Sequence, residues 1–265
     1  MTSSPPDAVV AFLLRRGDAA WREHAAAFLA SYEAFDAGRS HRLLVILKDF
    51  ENAGDEAEAH ARLAGARYDA LVVPEAGRDI GAYMAVARHL GDERVCFLNS
   101  HARVLCPGWL RQLDRHLDRP EVGMVGATAS FESLRALDPA FPGFPNPHLR
   151  TNAFMVAAPL FREITADLPM VTRQDAFMFE SGALSMTNRV LAAGRQVVVA
   201  GRNGRAYPVD WWPWSGGFRQ GLQENLLVGD NQTRHFDRLP WPERVLLANA
   251  TWGEFRSRTS PPPRT

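Results

Sequence analysis

The chain has 265 residues, 46% of them hydrophobic and 23% charged, which suits one large globular domain or two small ones and excludes a disordered or fibrous chain. Thirty Lys plus Arg offset thirty Asp plus Glu, so the bulk positive charge behind non-specific nucleic-acid binding is missing and no nucleic-acid partner is expected. No apolar run reaches the eighteen or so residues that span a bilayer, so no transmembrane segment is expected and peripheral attachment at the inner membrane face stays open.

The first half alternates two hydrophobic periods. Ala8 to Leu14 is a continuous apolar run of strand length, and Trp21, Ala25, Phe28, Leu29 and Tyr32 follow at helical spacing within Ala19 to Phe35. Strands are then expected at Leu43 to Leu47, Ala70 to Val73, Val95 to Leu98 and Val122 to Val125, with helices between them at Glu56 to Leu63, Ile80 to Leu90 and Trp109 to Leu117. Apolar runs buried on both faces and alternating with helices predict an α/β fold with a mostly parallel central sheet flanked by helices. In such sheets ligands bind beyond the carboxyl ends of the strands, here at Arg15, Asp79 and Asn99.

Beyond residue 130 the pattern changes. Phe131 to His148 is rich in Pro, Phe and Gly and reads as a long surface loop. A strand is expected at Thr151 to Val156, helices at Arg162 to Leu168 and Gly182 to Ala193, and a strand at Gln196 to Ala200. Trp211, Trp212 and Trp214 crowd a polar loop, and Ser257 to Thr265 is expected to be disordered. No break marks a second domain, so residues 1–256 are read as one domain and 257–265 as its tail. Cys96 and Cys106 lie in or beside apolar segments and suit buried thiols in a reducing cytoplasm.

The chain lacks a Walker loop, a GxGxxG after the first strand, a nucleophile elbow and an HExxH. What remains are polar residues at strand ends. Asp79, in the string GRDIGAY, stands where a helix N-cap belongs; it either caps the helix or offers a carboxylate to a base or ribose. Asn99, Ser100 and His101 leave the fourth strand together. His101 could ligate a transition metal, whereas a hard cation such as Mg²⁺ has no carboxylate in this segment. Local turn hydrogen bonds are the competing role.

The strand and helix order, GRDIGAY after the third strand and FLNSHARVLCPGWL after the fourth resemble a GT-A fold glycosyltransferase of the nucleotide-sugar-dependent, family-2-like kind. In that family the fourth strand ends in a DxD that holds a divalent cation and runs into a Pro-Gly-Trp-Leu type helix start, matched here by Cys106 to Leu110. The DxD is degenerate, with Asn99-Ser100-His101 in its place. The resemblance covers about Val9 to Gly201 and makes residues 1–128 the nucleotide-sugar half and 129–256 the acceptor half.

The resemblance implies a nucleoside diphosphate sugar as donor, with Mn²⁺ or Mg²⁺ in question, and a glycan or other hydroxyl acceptor. Arg15 and Arg16 would meet the base or phosphates, Asp79 the nucleoside, and Asn99, Ser100 and His101 the ribose and diphosphate. An inverting member needs a carboxylate to take the acceptor proton. Glu180 and Asp175 are the candidates, and Glu180 is preferred because it precedes Ser181-Gly182 and the expected helix. Arg219, Gln223, Asn225, Asp230 and Asn231 suit a loop closing over phosphates, and Trp211, Trp212 and Trp214 suit stacking against an acceptor sugar. The reading is a glycosyltransferase of polysaccharide or other glycan biosynthesis. The alternatives are a non-catalytic sugar-nucleotide or glycan-binding relative of the same fold and, last, a nucleotidyltransferase.

Overall fold

The computed structural model describes residues 8–74 and 77–253. The tail expected at 257–265 lies outside the described residues.

Eight strands form one sheet: β1 (Ala8–Arg15), β2 (His41–Lys48), β3 (Asp69–Val73), β4 (Arg94–Leu98), β5 (Val122–Gly126), β6 (Ala153–Ala157), β7 (Gln196–Ala200) and β8 (Ala206–Pro208). Their order across the sheet is β8-β7-β5-β6-β4-β1-β2-β3, so strands from both halves of the chain build it. Neighbours run parallel except around β6, which is antiparallel to β4 and β5, and at the edge pair β7 and β8. This is the mostly parallel, helix-flanked α/β architecture expected of a GT-A fold.

Alternation along β1 shows how the sheet divides the core. Val9, Ala11 and Leu13 enter one apolar cluster, while Ala8, Val10, Phe12 and Leu14 enter the other, and all seven have no exposed surface. On one face pack α1 (Trp21–Ala34), α2 (Ala53–Arg62) and α4 (Trp109–Asp114), which contribute Trp21, Phe28, Ala59 and Trp109. On the other lie α3 (Arg78–His89), α5 (Ala158–Thr165), α6 (Arg173–Ser181) and α7 (Met186–Ala192), which contribute Tyr83, Phe161, Phe179 and Val190. Two further helices, α8 (Asn231–Arg238) and α9 (Trp241–Trp252), follow.

Three expectations need correction. The segment 173–181, to which the sequence assigns no element, is helix α6: Thr172 and Asp175 form a reciprocal capping box that starts it. The helix expected from Gly182 begins only at Met186, where the Ser185 side chain accepts from the Asn188 amide. The Pro-rich stretch from Phe131 is partly core, because the Phe131 ring meets those of Trp252 and Trp212 with centroids 5.3 and 6.2 Å apart.

Candidate functional site

The antiparallel course of β6 decides where the site forms. Its start, not its end, reaches the carboxyl edge of the sheet, with Ala153 level with Leu98 of β4. Arg150, Thr151 and Asn152 are thereby delivered beside Arg15 at the end of β1 and the loop after β4. The Asn99 amide donates to the Asn152 carbonyl at 2.9 Å, joining the two loops.

Two cavities open here. One of 170 Å³ is lined by Arg15, Arg78, Asp79, Thr151, Arg173 and Glu180, among others. The second, of 400 Å³, is lined by Glu132, His148, Arg150, Phe218, Arg219 and again Glu180. Glu180 and Phe177, one turn apart on α6, line both cavities. The Glu180 carboxylate accepts from the Thr151 amide at 3.0 Å, which fixes its position at the cleft. It lies in the last turn of α6, so the helix-start electrostatics expected from the sequence do not apply to it.

Three arginines around the smaller cavity make it suited to an anion. Asp79 sits in the first turn of α3, but it does not cap the helix. Gly77 is the cap residue, with φ 67°, and a side chain there would collide with the Met170 carbonyl. Dense surrounding protein raises the Asp79 carboxyl above its ordinary range, opposed by nearby Arg15 and reinforced by Glu180.

Lys48 was not singled out by site reasoning, although its being the only lysine was a signal. It ends β2 level with Arg15, has no exposed surface, and donates from Nζ to the Arg78 carbonyl at 2.6 Å. Arg78 holds a left-handed φ of 52° at the start of α3, an unusual conformation for a side-chain-bearing residue. Lys48 thus props a strained turn and so aims Arg78 and Asp79 at the cavity.

The other expected residues divide. Asn99 accepts the His101 amide on its side chain at 3.1 Å, and Ser100 is buried, so neither presents a carboxylate-like oxygen to a diphosphate-bridging cation. The segment does not fit the cation that a DxD holds. Arg16 pairs with Asp55 of α2 at 2.9 Å, away from the cavity lining.

Asp175 accepts the Val171 and Thr172 amides at 2.9 and 2.7 Å, bonds that hold its carboxyl below the ordinary range. It lines neither cavity. Asp175→Ala should therefore lower the melting temperature by a few degrees and leave turnover unchanged, which calorimetry and an activity assay together would check.

The C-terminal polar cluster is mostly structural. Gln223 accepts the Arg219 amide and donates to the Thr233 carbonyl and Asp237 at 3.0, 3.0 and 2.8 Å. Asn225 donates to the Ser215 carbonyl at 2.7 Å and accepts the Asn203 amide at 2.9 Å. Asp230 caps α8 and pairs with Arg150 at 2.6 Å, and Asn231 is exposed at the start of α8. Of this group only Arg219 faces the larger cavity, tied to Glu132 at 2.6 Å.

The tryptophans do not converge. Trp212 is core, with no exposed surface and its indole N–H donating to the Tyr207 carbonyl at 3.0 Å. Trp211 packs partly buried against the same core. Trp214 lines a separate 420 Å³ cavity with Tyr207, Asn203 and Gln220. A still larger cavity, 510 Å³, lies at the amino-terminal ends of β4, β5 and β7, where Arg94 and Arg119 are already ion-paired.

No protein-family model matches the chain, and no curated protein matches it. Solved structures similar to it include a mannosyltransferase from Pyrobaculum calidifontis in complex with GDP-Man and Mn²⁺, at 15% identity over 97% of this chain and 77% of that one, TM-score 0.49. A 4-diphosphocytidyl-2C-methyl-D-erythritol synthase from Anaerococcus prevotii is 10% identical over 76% of this chain and 92% of its own, TM-score 0.46. Mouse xyloside xylosyltransferase 1, in its apo form, is 12% identical over 71% and 81% of the two chains, TM-score 0.42. Among the described residues no helix is long and apolar enough to cross a membrane.

Proposed function

We propose that the chain is a glycosyltransferase that moves a sugar from a nucleoside diphosphate donor to a hydroxyl acceptor, with inversion, in glycan biosynthesis. The observation that carries this reading is the Glu180 carboxylate on the wall between two cavities at the carboxyl edge of the sheet. The smaller cavity, with Arg15, Arg78 and Arg173, takes the donor diphosphate, and Asp79 meets the nucleoside. The larger cavity takes the acceptor between Phe218, Arg150 and His148.

Glu180 accepts the proton of the acceptor hydroxyl as its oxygen bonds to the anomeric carbon, while the bond to the diphosphate breaks and the arginines take up the developing charge. Burial depresses the neighbouring His148 imidazole below its ordinary range, so it stays neutral at pH 7 and can share hydrogen bonds with an acceptor without adding charge. Asn99, Ser100 and His101, without a carboxylate, favour one other reading, a glycan-binding relative that does not turn over donor.

Thermal melts with UDP, GDP, CMP, dTDP and their sugar conjugates, in Mg²⁺, Mn²⁺ and EDTA, test both. One nucleotide at a hundred times its Kd should stabilise the protein by about 2.7 kcal/mol and raise its melting temperature by roughly 5–10 °C. Donor consumption in the same samples separates the enzyme from the binding relative. No shift with any nucleotide removes the donor-site assignments.

A further inference from the structure

Beside the cleft, three side chains from three segments meet around one point: Asp18 in the turn after β1, His24 in the first turns of α1, and His101 after β4. His24 Nε2 lies 3.2 Å from Asp18 Oδ2, and His101 Nε2 lies 3.8 Å from the same oxygen. The rings meet edge to face with centroids 4.4 Å apart. One candidate ligand atom from each residue falls within 4.8 Å of the others.

Two imidazoles aimed at one carboxylate oxygen are poorly served by hydrogen bonding alone. His24 is close enough to donate, whereas His101 at 3.8 Å is beyond hydrogen-bond reach. The Nδ1 atoms of both rings are also buried without a partner among the described residues. A cation among the three groups resolves the conflict, because it binds the lone pair of each Nε2 and the carboxylate at once. Bonds of about 2.0–2.2 Å to tetrahedral Zn²⁺ put ligand atoms roughly 3.4 Å apart, between the two separations observed.

We propose that Asp18, His24 and His101 bind a borderline first-row dication, Zn²⁺ in the first instance, through two imidazoles and one carboxylate. Imidazole donors select Zn²⁺ over Mg²⁺, which asks for an oxygen shell. Three protein ligands leave a coordination position open. The site differs from a DxD: two of its ligands come from the first loop and first helix. It stands without the glycosyl-transfer reading.

The test is calorimetric titration of the nucleotide-free protein with Zn²⁺ and with Mg²⁺, and visible absorption after Co²⁺ loading. One equivalent of Zn²⁺, no Mg²⁺ at the same concentration, and the intense visible band of low-coordinate Co²⁺ are expected. His24→Ala and His101→Ala should each weaken Zn²⁺ by more than about 100-fold, since losing even an outer partner of a metal ligand costs 10–100-fold. His89→Ala, on the exposed end of α3, should bind as the parent does. Asp18→Asn guards against misfolding, because its side-chain oxygen can still accept the Ala20 amide that Asp18 accepts at 3.0 Å. It should melt like the parent in EDTA and still lose Zn²⁺. Zn²⁺ binding that survives in His24→Ala and His101→Ala, or an absent Co²⁺ band, overturns the proposal. Neither result depends on nucleotide binding, so failure here and failure of the glycosyltransferase reading are told apart.

Discussion

Glu180→Gln should lower sugar transfer by a factor of roughly 10²–10⁴, the usual worth of a positioned general base, while leaving nucleotide binding and the melting temperature close to the parent's. The rate effect follows from the shared wall of the two cavities: no other carboxylate among the described residues lines both. The stability expectation follows from the amide that replaces the acid. Its oxygen still accepts the Thr151 N–H, so the start of β6 stays tied to α6. Initial rates at saturating donor and acceptor, read beside the nucleotide-induced melting shift, check both halves. A variant that keeps its rate removes Glu180 from the chemistry. One that loses rate and nucleotide shift together shows that Glu180 shapes the donor cavity rather than taking the proton. Asp175→Ala serves as the matched control on the same helix, since its carboxylate is spent on the capping box.

The sheet was legible because buried parallel strands write themselves as apolar runs. Ala8 to Leu14 needed one residue added to become β1, and Leu43 to Leu47 three to become β2. What the sequence could not say is which strand turns against the others. The antiparallel course of β6 is set by its neighbours, yet it puts Thr151 against Glu180. Helix α6 was missed because Arg173 to Ser181 carries no apolar stripe, and its start rests on a Thr172–Asp175 reciprocity in which Asp replaces the commoner Glu or Gln.

Arg15 and Asp79, expected where the chain leaves the sheet, both line the smaller cavity. Polar residues in the C-terminal half were over-read, because a Gln or Asn closing backbone groups looks like a ligand-binding amide in one dimension. Buried Gln223 and half-buried Asn225 are of this kind. Asp18 and His24 were invisible for the opposite reason: nothing in one sequence joins them to His101, seventy-seven residues beyond His24.

Asp230→Ala should be among the most destabilising single changes in the chain, although the residue takes no part in the proposed chemistry. Its carboxylate is 1% exposed, accepts the Thr233 amide at 2.9 Å to start α8, and pairs with Arg150 at 2.6 Å. Alanine removes the cap and strands a guanidinium that is itself largely buried and lies over the Phe218 ring at 4.0 Å. Breaking one side of a buried pair costs about 3–5 kcal/mol, which in a protein of this size lowers the melting temperature by on the order of 10 °C. Asp230→Asn keeps the cap and should recover about 1 kcal/mol. Arg150→Met combined with Asp230→Ala should cost less than the sum of the two single changes, because no unpaired charge is left behind.

The pH dependence has a definite sign. Burial pushes the Asp230 carboxyl up, but Arg150 and the Thr233 amide outweigh it and hold the group below its ordinary range. A carboxyl depressed in the folded state contributes stability that is present above its unfolded pKa of about 3.9 and is lost as pH falls through the lower folded value. The stability gap between the parent and Asp230→Asn should accordingly be full at pH 7 and narrow only below about pH 4. Chemical denaturation of the two proteins across that range checks it. A gap that is already small at pH 7 would mean that the pair is solvated, and that α8 is held over the His101 loop by its other contacts, the Arg234 bond to the His101 carbonyl at 3.2 Å among them.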